Sequence, residues 1–147
     1  MKITNVLRAE HAVFRNLFDH IEQVLPRTRT LPEVKSLATI MEKLTAPHSQ
    51  TEDELFIGPL EYCFDQIGQQ ETFHHEHKVI DGILAQIHKS RDLKTAKKLL
   101  VNAVTASRKH FDKEERIVFP LAESILKANT LDELGGKWLK RRAAKTD

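Results

Sequence analysis

A single cysteine, Cys63, stands in a chain of 147 residues. One thiol excludes an internal disulfide and a zinc site built from cysteines, and it fits a reducing compartment. Glycine and proline number five each, with one tryptophan and one tyrosine. So few turn-formers and strand-favouring aromatics lean the composition toward helix. An excess of one charge is missing too. The formal net charge is +2, too weak a field to argue for nucleic acid as a partner. No stretch approaches the ~18 continuous apolar residues of a membrane span, and "MKITNVLRAEHAVF" lacks the apolar run of a secretory leader. The expectation is a cytoplasmic protein with one sizeable core, having neither membrane nor nucleic acid among its partners. Histidine is what the chain has in excess, eight in all.

Four segments carry apolar residues at helical spacing. The first runs through Leu7, His11, Phe14, Phe18, Ile21 and Leu25, and the third through Phe73, His77, Ile80, Leu84 and Ile87. The second has Val34, Leu37, Met41, Leu44, His48, Glu52 and Leu55. The fourth has Leu100, Ala103, Ser107, His110, Glu114, Ile117 and Leu121. Breaks fall at "PRTRTLP" (26–32), "DQIGQQ" (65–70) and "SRD" (90–92), with Thr30 and Asp92 as candidate N-caps. Pro47 lies inside the second pattern, where it should kink the helix or start a new turn just before His48. Short connections favour antiparallel neighbours, so the expected fold is all-α: an up-down-up-down antiparallel four-helix bundle over residues 1–128. Residues 129–147 form a short basic extension with a short extra helix, weakened by Gly135 and Gly136. Trp138 is expected to pack on the bundle; the basic end offers contacts to an acidic partner or an anionic surface.

The halves repeat each other. "AEHAVFRNLFDHI" (9–21) aligns with "HEHKVIDGILAQI" (75–87). "PHSQTEDELFIGPLE" (47–61) aligns with "KHFDKEERIVFPLAE" (109–123), with one residue of slack before the proline. Each half carries a Glu-His pair on its first helix and His-x-x-x-Glu on its second. An imidazole and a carboxylate at i and i+4 share one helix face, with Cβ atoms ~5–6 Å apart. His11, His48, Glu52, His77, His110 and Glu114 therefore converge inside the bundle. Two buried carboxylates without partners are very unfavourable. Two divalent cations would remove that penalty, at the ~3.5–4 Å separation of two-metal sites. Mixed nitrogen and oxygen donors suit iron, manganese or zinc and not calcium. A single His on an apolar stripe is ordinarily a hydrogen-bonded core residue, and a single His-x-x-x-Glu a surface pair. Four such histidines, two followed by Glu at the same spacing, exceed that explanation. Asp53 and Glu115 follow the glutamates as acceptors for ligand N–H groups or as solvated charges. His20 and His88 are read as peripheral, Asp81 as solvated, and Cys63 as half-buried packing.

The repeated His-x-x-x-Glu with downstream Phe and Pro, "HFDKEERIVFP", resembles the hemerythrin-like, or HHE cation-binding, domain over roughly residues 1–128. The resemblance implies a four-helix bundle with a non-haem di-iron centre, two iron ions joined by an oxo or hydroxo bridge, with zinc or manganese as substitutes. It implies that His11, His48, Glu52, His77, His110 and Glu114 occupy ligand positions. Oxygen-carrying members have Asp one residue beyond the place of Glu114, and His-x-x-x-His on the third helix. Phe73 stands here at the first of those imidazoles. His74, three residues before His77, is the candidate substitute; the alternative is a solvent-facing cluster with His75. A missing imidazole leaves an added open position, which moves the expectation from oxygen carriage toward sensing or redox turnover. The implied partners are dioxygen, nitric oxide or peroxide. The implied functions are small-ligand binding in oxygen or redox sensing, iron handling or iron-centre repair, and a redox enzyme acting on peroxide or nitric oxide. A bundle with incidental histidines is the structural alternative. A ferritin-like bundle needs two Glu-x-x-His motifs on core helices, and only "ETFH" (71–74) fits. Zinc hydrolase chemistry lacks His-Glu-x-x-His. The oligomeric state is not encoded in these patterns.

Overall fold

The computed structural model describes the backbone of residues 1–67 and 70–144, and the side chains of 1–62 and 73–144. Every regular element among the described residues is helical. The reading of Cys63, and the loop reading of 68–69, lie outside the described residues.

Helix α1 spans Ile3–Val24 and passes into a 3₁₀ turn, Leu25–Arg27, with Pro26 inside it. Helix α2, Leu31–Glu52, opens on Thr30, whose hydroxyl accepts the Glu33 N–H at 3.4 Å. It runs through Pro47 without a break, so no new helix starts before His48. Helix α3 spans Gly58–Ile67 and α4 spans Gln70–Lys89. Helix α5, Leu93–Lys113, is capped by Asp92, which accepts from the Thr95 N–H at 2.8 Å and the Thr95 hydroxyl at 2.6 Å. Helices α6, Phe119–Ile125, and α7, Ala128–Ala143, complete the chain. The four long helices close a ring in which α1 packs on α2, α2 on α4, α4 on α5 and α5 on α1. This is the all-α bundle the sequence predicts. Helix α7 lies along α1. It continues through Gly135 and Gly136, so the glycines do not stop it. Gly135 is needed there, since a Cβ at that position would lie 2.1 Å from the Met1 carbonyl oxygen.

Two short π-helical segments interrupt the second and fourth stripes: Asp53–Ile57, which follows Glu52, and Glu114–Val118, which begins at Glu114. A π turn inserts one residue and re-phases the helix. Beyond the glutamates the core positions become Phe56, Ile57 and Leu60 on one strip and Val118, Phe119 and Ala122 on the other. Ile117, predicted inside, is 44% exposed, and Leu55 and Leu121 are only partly buried. Leu44 is also outside, at 42% exposure; Thr45 takes the buried place, its hydroxyl donating to the Met41 carbonyl at 2.9 Å.

The core is two cores. Phe14, Phe18, Ile21, Met41, Leu84 and Leu100 belong to one apolar cluster. Leu7, Phe56, Phe73, Phe119 and Trp138 belong to the other. Along α1 the order is Leu7, His11, Phe14; along α4 it is Phe73, His77, Ile80. A polar layer thus sits between the two clusters, at one level of all four long helices.

Candidate metal centre

That layer consists of His11 on α1, His48 and Glu52 on α2, His77 on α4, His110 on α5 and Glu114 at the start of the second π segment. All six are buried, and both glutamates are 0% exposed. His11 Nε2 lies 3.3 Å from His48 Nε2, and His77 Nε2 lies 2.7 Å from His110 Nε2. The carboxylates sit between these pairs. Glu114 Oε2 is 3.2 Å from His11 Nε2 while its Oε1 is 2.6 Å from His110 Nε2. Glu52 Oε2 is 3.8 Å from His48 Nε2 and 3.6 Å from His77 Nε2. Two donor groups result, each with its ligand atoms within 4.8 Å of one another: Glu52, His77, His110 and Glu114, and His11, His48 and Glu114.

Each imidazole is oriented from behind by a carboxylate. His48 Nδ1 meets Glu10 Oε2 at 2.7 Å, and His110 Nδ1 meets Glu76 Oε2 at 2.7 Å. His11 Nδ1 meets Glu115 Oε1 at 3.0 Å, and His77 Nδ1 meets Asp53 Oδ2 at 3.3 Å. An ionised carboxylate only accepts, so each Nδ1 carries a hydrogen and each Nε2 faces inward, with a free lone pair when the ring is neutral. This is the arrangement that fixes metal-ligating histidines. The four pairs obey the sequence repeat: Glu10 corresponds to Glu76 and Asp53 to Glu115. Aromatic rings shield the layer, with Phe111 stacked on His11 at 4.0 Å between centroids and Phe14 edge-on to His48 at 5.1 Å.

None of the four oxygens of Glu52 and Glu114 accepts a hydrogen bond of ordinary geometry. Burial, then the facing charge of Glu114, pushes the Glu52 carboxyl well above its usual range. Burial works to raise Glu114 as well, but His110 and His11 outweigh it and hold that carboxyl well below. At His110 burial opposes the proton, and Glu114 with Glu76 overcomes it, raising the ring to about 9. For His48 burial prevails over Glu10 and the ring is lowered. Two facing carboxylates therefore cannot both stay charged here on protein contacts alone. The inward nitrogens and orphaned oxygens fit divalent cations, which would neutralise both acids.

His74 does not join these donors. Its ring is 40% exposed, with Nδ1 3.3 Å from Asp53 Oδ1. It stands behind the carboxylate that holds His77, because Phe73 takes the inward position on that turn. His20 is exposed, and His88 pairs at the surface with Glu42 at 2.9 Å. Sequence reasoning gave Glu10 and Glu76 no role, although the Glu immediately before His11 and His77 in both repeats was the available signal. Lys113 on Glu76 (2.9 Å), Arg15 on Glu115 (2.7 Å) and Trp138 on Glu10 (2.8 Å) had no such signal.

Fold and site together define a helical bundle with a buried histidine-carboxylate centre suited to metal ions. The family model described as Hemerythrin HHE cation binding domain matches residues 68–136, and over that stretch the chain is similar to that family. The match includes His77, His110 and Glu114; His11, His48 and Glu52 lie outside it and enter through the repeat and the geometry. No curated protein and no solved structure gives a match. Among the described residues no helix is long and apolar enough to cross a membrane.

Proposed function

We propose that the protein is a cytoplasmic non-haem di-iron protein that binds dioxygen or a related small ligand, in oxygen or redox sensing or in iron handling. The observation that carries this reading is the buried pair Glu52 and Glu114 facing four inward Nε2 atoms between two apolar cores. His77 and His110 would hold one iron and His11 and His48 the other, with Glu52 and Glu114 as the carboxylate donors. A di-iron centre held there would supply electrons and a place for a small diatomic or peroxide ligand to bind. The chain's part is to fix the imidazoles through Nδ1, keep both carboxylates dry and exclude bulk water with Phe14, Phe73, Phe111 and Phe119.

A second reading has its own support. Phe73 and its counterpart Leu7 are both fully buried beside the site, so each cation position has two imidazoles and neither gains a third. Two incomplete imidazole sets favour a redox enzyme acting on peroxide or nitric oxide, or an iron-centre repair protein, over a pure carrier. Metal analysis with an optical spectrum of the freshly purified protein tests the main reading. Two irons per chain are expected, lost in His48→Ala and His110→Ala; absence of bound metal in protein prepared with iron would overturn it. A stable, reversible oxygenated form favours binding, and consumption of peroxide or nitric oxide favours the enzyme.

A further inference from the structure

The two halves of the layer share the pattern of two histidines and one glutamate each, and they differ in what stands behind Glu10 and Glu76. Glu76 receives His110 Nδ1–H and the ammonium of Lys113 at 2.9 Å. Glu10 receives His48 Nδ1–H and two further groups from α7. The Trp138 indole N–H donates to Oε1 at 2.8 Å, and Arg142 donates to Oε1 from Nε at 3.0 Å and to Oε2 from Nη2 at 3.2 Å. The same guanidinium donates from Nη1 to the Pro47 carbonyl at 3.2 Å and the Thr51 hydroxyl at 3.3 Å. Arg142 therefore grips both the carboxylate behind His48 and the helical turn that carries His48. Trp138 also touches the ligand ring itself, edge-on, with centroids 5.4 Å apart.

Helix α7 is firmly placed for this. Leu131, Leu134 and Trp138 are buried in the second core. Gly135 lets its backbone lie against that of Met1–Ile3, where any Cβ would collide. Helix α7 is outside the internal repeat, and the matched family stretch ends at residue 136, before Trp138 and Arg142. A planar, forked cation fixes a carboxylate in two dimensions, whereas a lysine is a mobile point charge. Glu10 is thus held by three N–H groups besides the His48 one, and Glu76 by a single ammonium.

We propose that Trp138 and Arg142 are positioning residues of the metal centre, acting through Glu10 on His48, and that they make the His11–His48 cation position different in affinity from the His77–His110 one. This rests on the reading that these histidines hold metal. Outer contacts of a ligand histidine are each worth about 10–100-fold in metal affinity. Freed from Arg142, Glu10 would turn its side chain, already 22% exposed, toward water, and His48 would lose its fixed orientation.

The test is a titration of the metal-free full chain with cobalt(II), followed by the visible absorption of the bound ion and by Trp138 emission, the chain's one tryptophan. Two steps are expected in the wild type, only one of which moves the emission. R142Q should weaken that step by about tenfold and leave the other unmoved, with partial rescue by R142K. W138F, which removes the N–H and keeps an aromatic ring at that position, should shift the same step in the absorption titration. K113Q should weaken the opposite step. A merely structural role would lower thermal stability without singling out one step. If R142Q leaves both steps and the cobalt spectrum unchanged, or weakens both equally, the proposal is overturned while the metal reading stands. If the wild type binds no cobalt, both fall.

Discussion

Glu52 and Glu114 occupy the same level of the bundle, yet their replacement by methionine should have opposite effects on the metal-free protein. Glu52 is 0% exposed, and the imidazole nitrogens nearest its Oε2 are at 3.6 and 3.8 Å, beyond the 2.7–3.2 Å of an N–H···O bond. Its burial is uncompensated. Methionine has nearly the same length and no oxygens to desolvate, so Glu52→Met should stabilise the metal-free chain. Removing a buried polar group that lacks a partner relieves about 1–3 kcal/mol of desolvation. At this chain length each kcal/mol raises Tm by roughly 2–4 °C. Glu114 is different, with its oxygens at 2.6 and 3.2 Å from His110 and His11. Glu114→Met strands the charge on His110 and should destabilise by about 3–5 kcal/mol, the usual penalty for breaking a buried pair. Metal reverses the first result. A site filled at about 1,000 times its Kd adds about 4.1 kcal/mol to the wild type, most of which Glu52→Met forfeits. Thermal melts of both variants, with chelator and with excess metal, give the four numbers. A Glu52→Met variant less stable than wild type in chelator would refute the reasoning, since it would mean that the Glu52 carboxylate is satisfied by its surroundings.

Three further outcomes follow from the same contacts. His74→Ala should keep the wild-type metal content while His77→Ala loses it, as read by metal analysis; loss in both would return His74 to the ligand set. Glu10 is held at about 2, since His48, Arg142 and Trp138 outweigh the burial that would raise it. A depressed carboxyl contributes stability above its unfolded value of 4.5 that disappears as pH falls toward about 2. Metal-free wild type should therefore lose Tm across that window, with a shallower slope in Glu10→Gln. Gly135→Ala should cost about 1–3 kcal/mol as overpacking, because the new methyl meets the Met1 carbonyl oxygen, and should red-shift Trp138 emission as α7 lifts.

The stripes on α1 and α4 were fully legible, because a straight helix repeats its buried face every 3.6 residues. The same rule misplaced Ile117, since a π turn changes the period where the polar layer begins and no single residue type announces it. Leu44 and Thr45 exchanged places because a threonine hydroxyl can be satisfied within its own helix, which a hydrophobic pattern does not register. The inward donors were readable from spacing alone. Their outer partners were less so, because the Nδ1 contacts of His11 and His77 join residues 104 and 24 positions apart. Helix α7 was underestimated because propensity counts glycine against a helix and is blind to the close approach that Gly135 permits.

The lacing of the four Nδ1 contacts has a consequence for how such a molecule can be built. His48 and His110 lean on carboxylates of their own hairpin, Glu10 and Glu76, whereas His11 and His77 lean on Glu115 and Asp53 of the opposite one. Each hairpin offers what the other lacks, in the same places. Two identical copies of a single hairpin, related by a two-fold axis, would satisfy every one of these bonds, so the chain has the internal logic of a symmetric homodimer carried in one polypeptide.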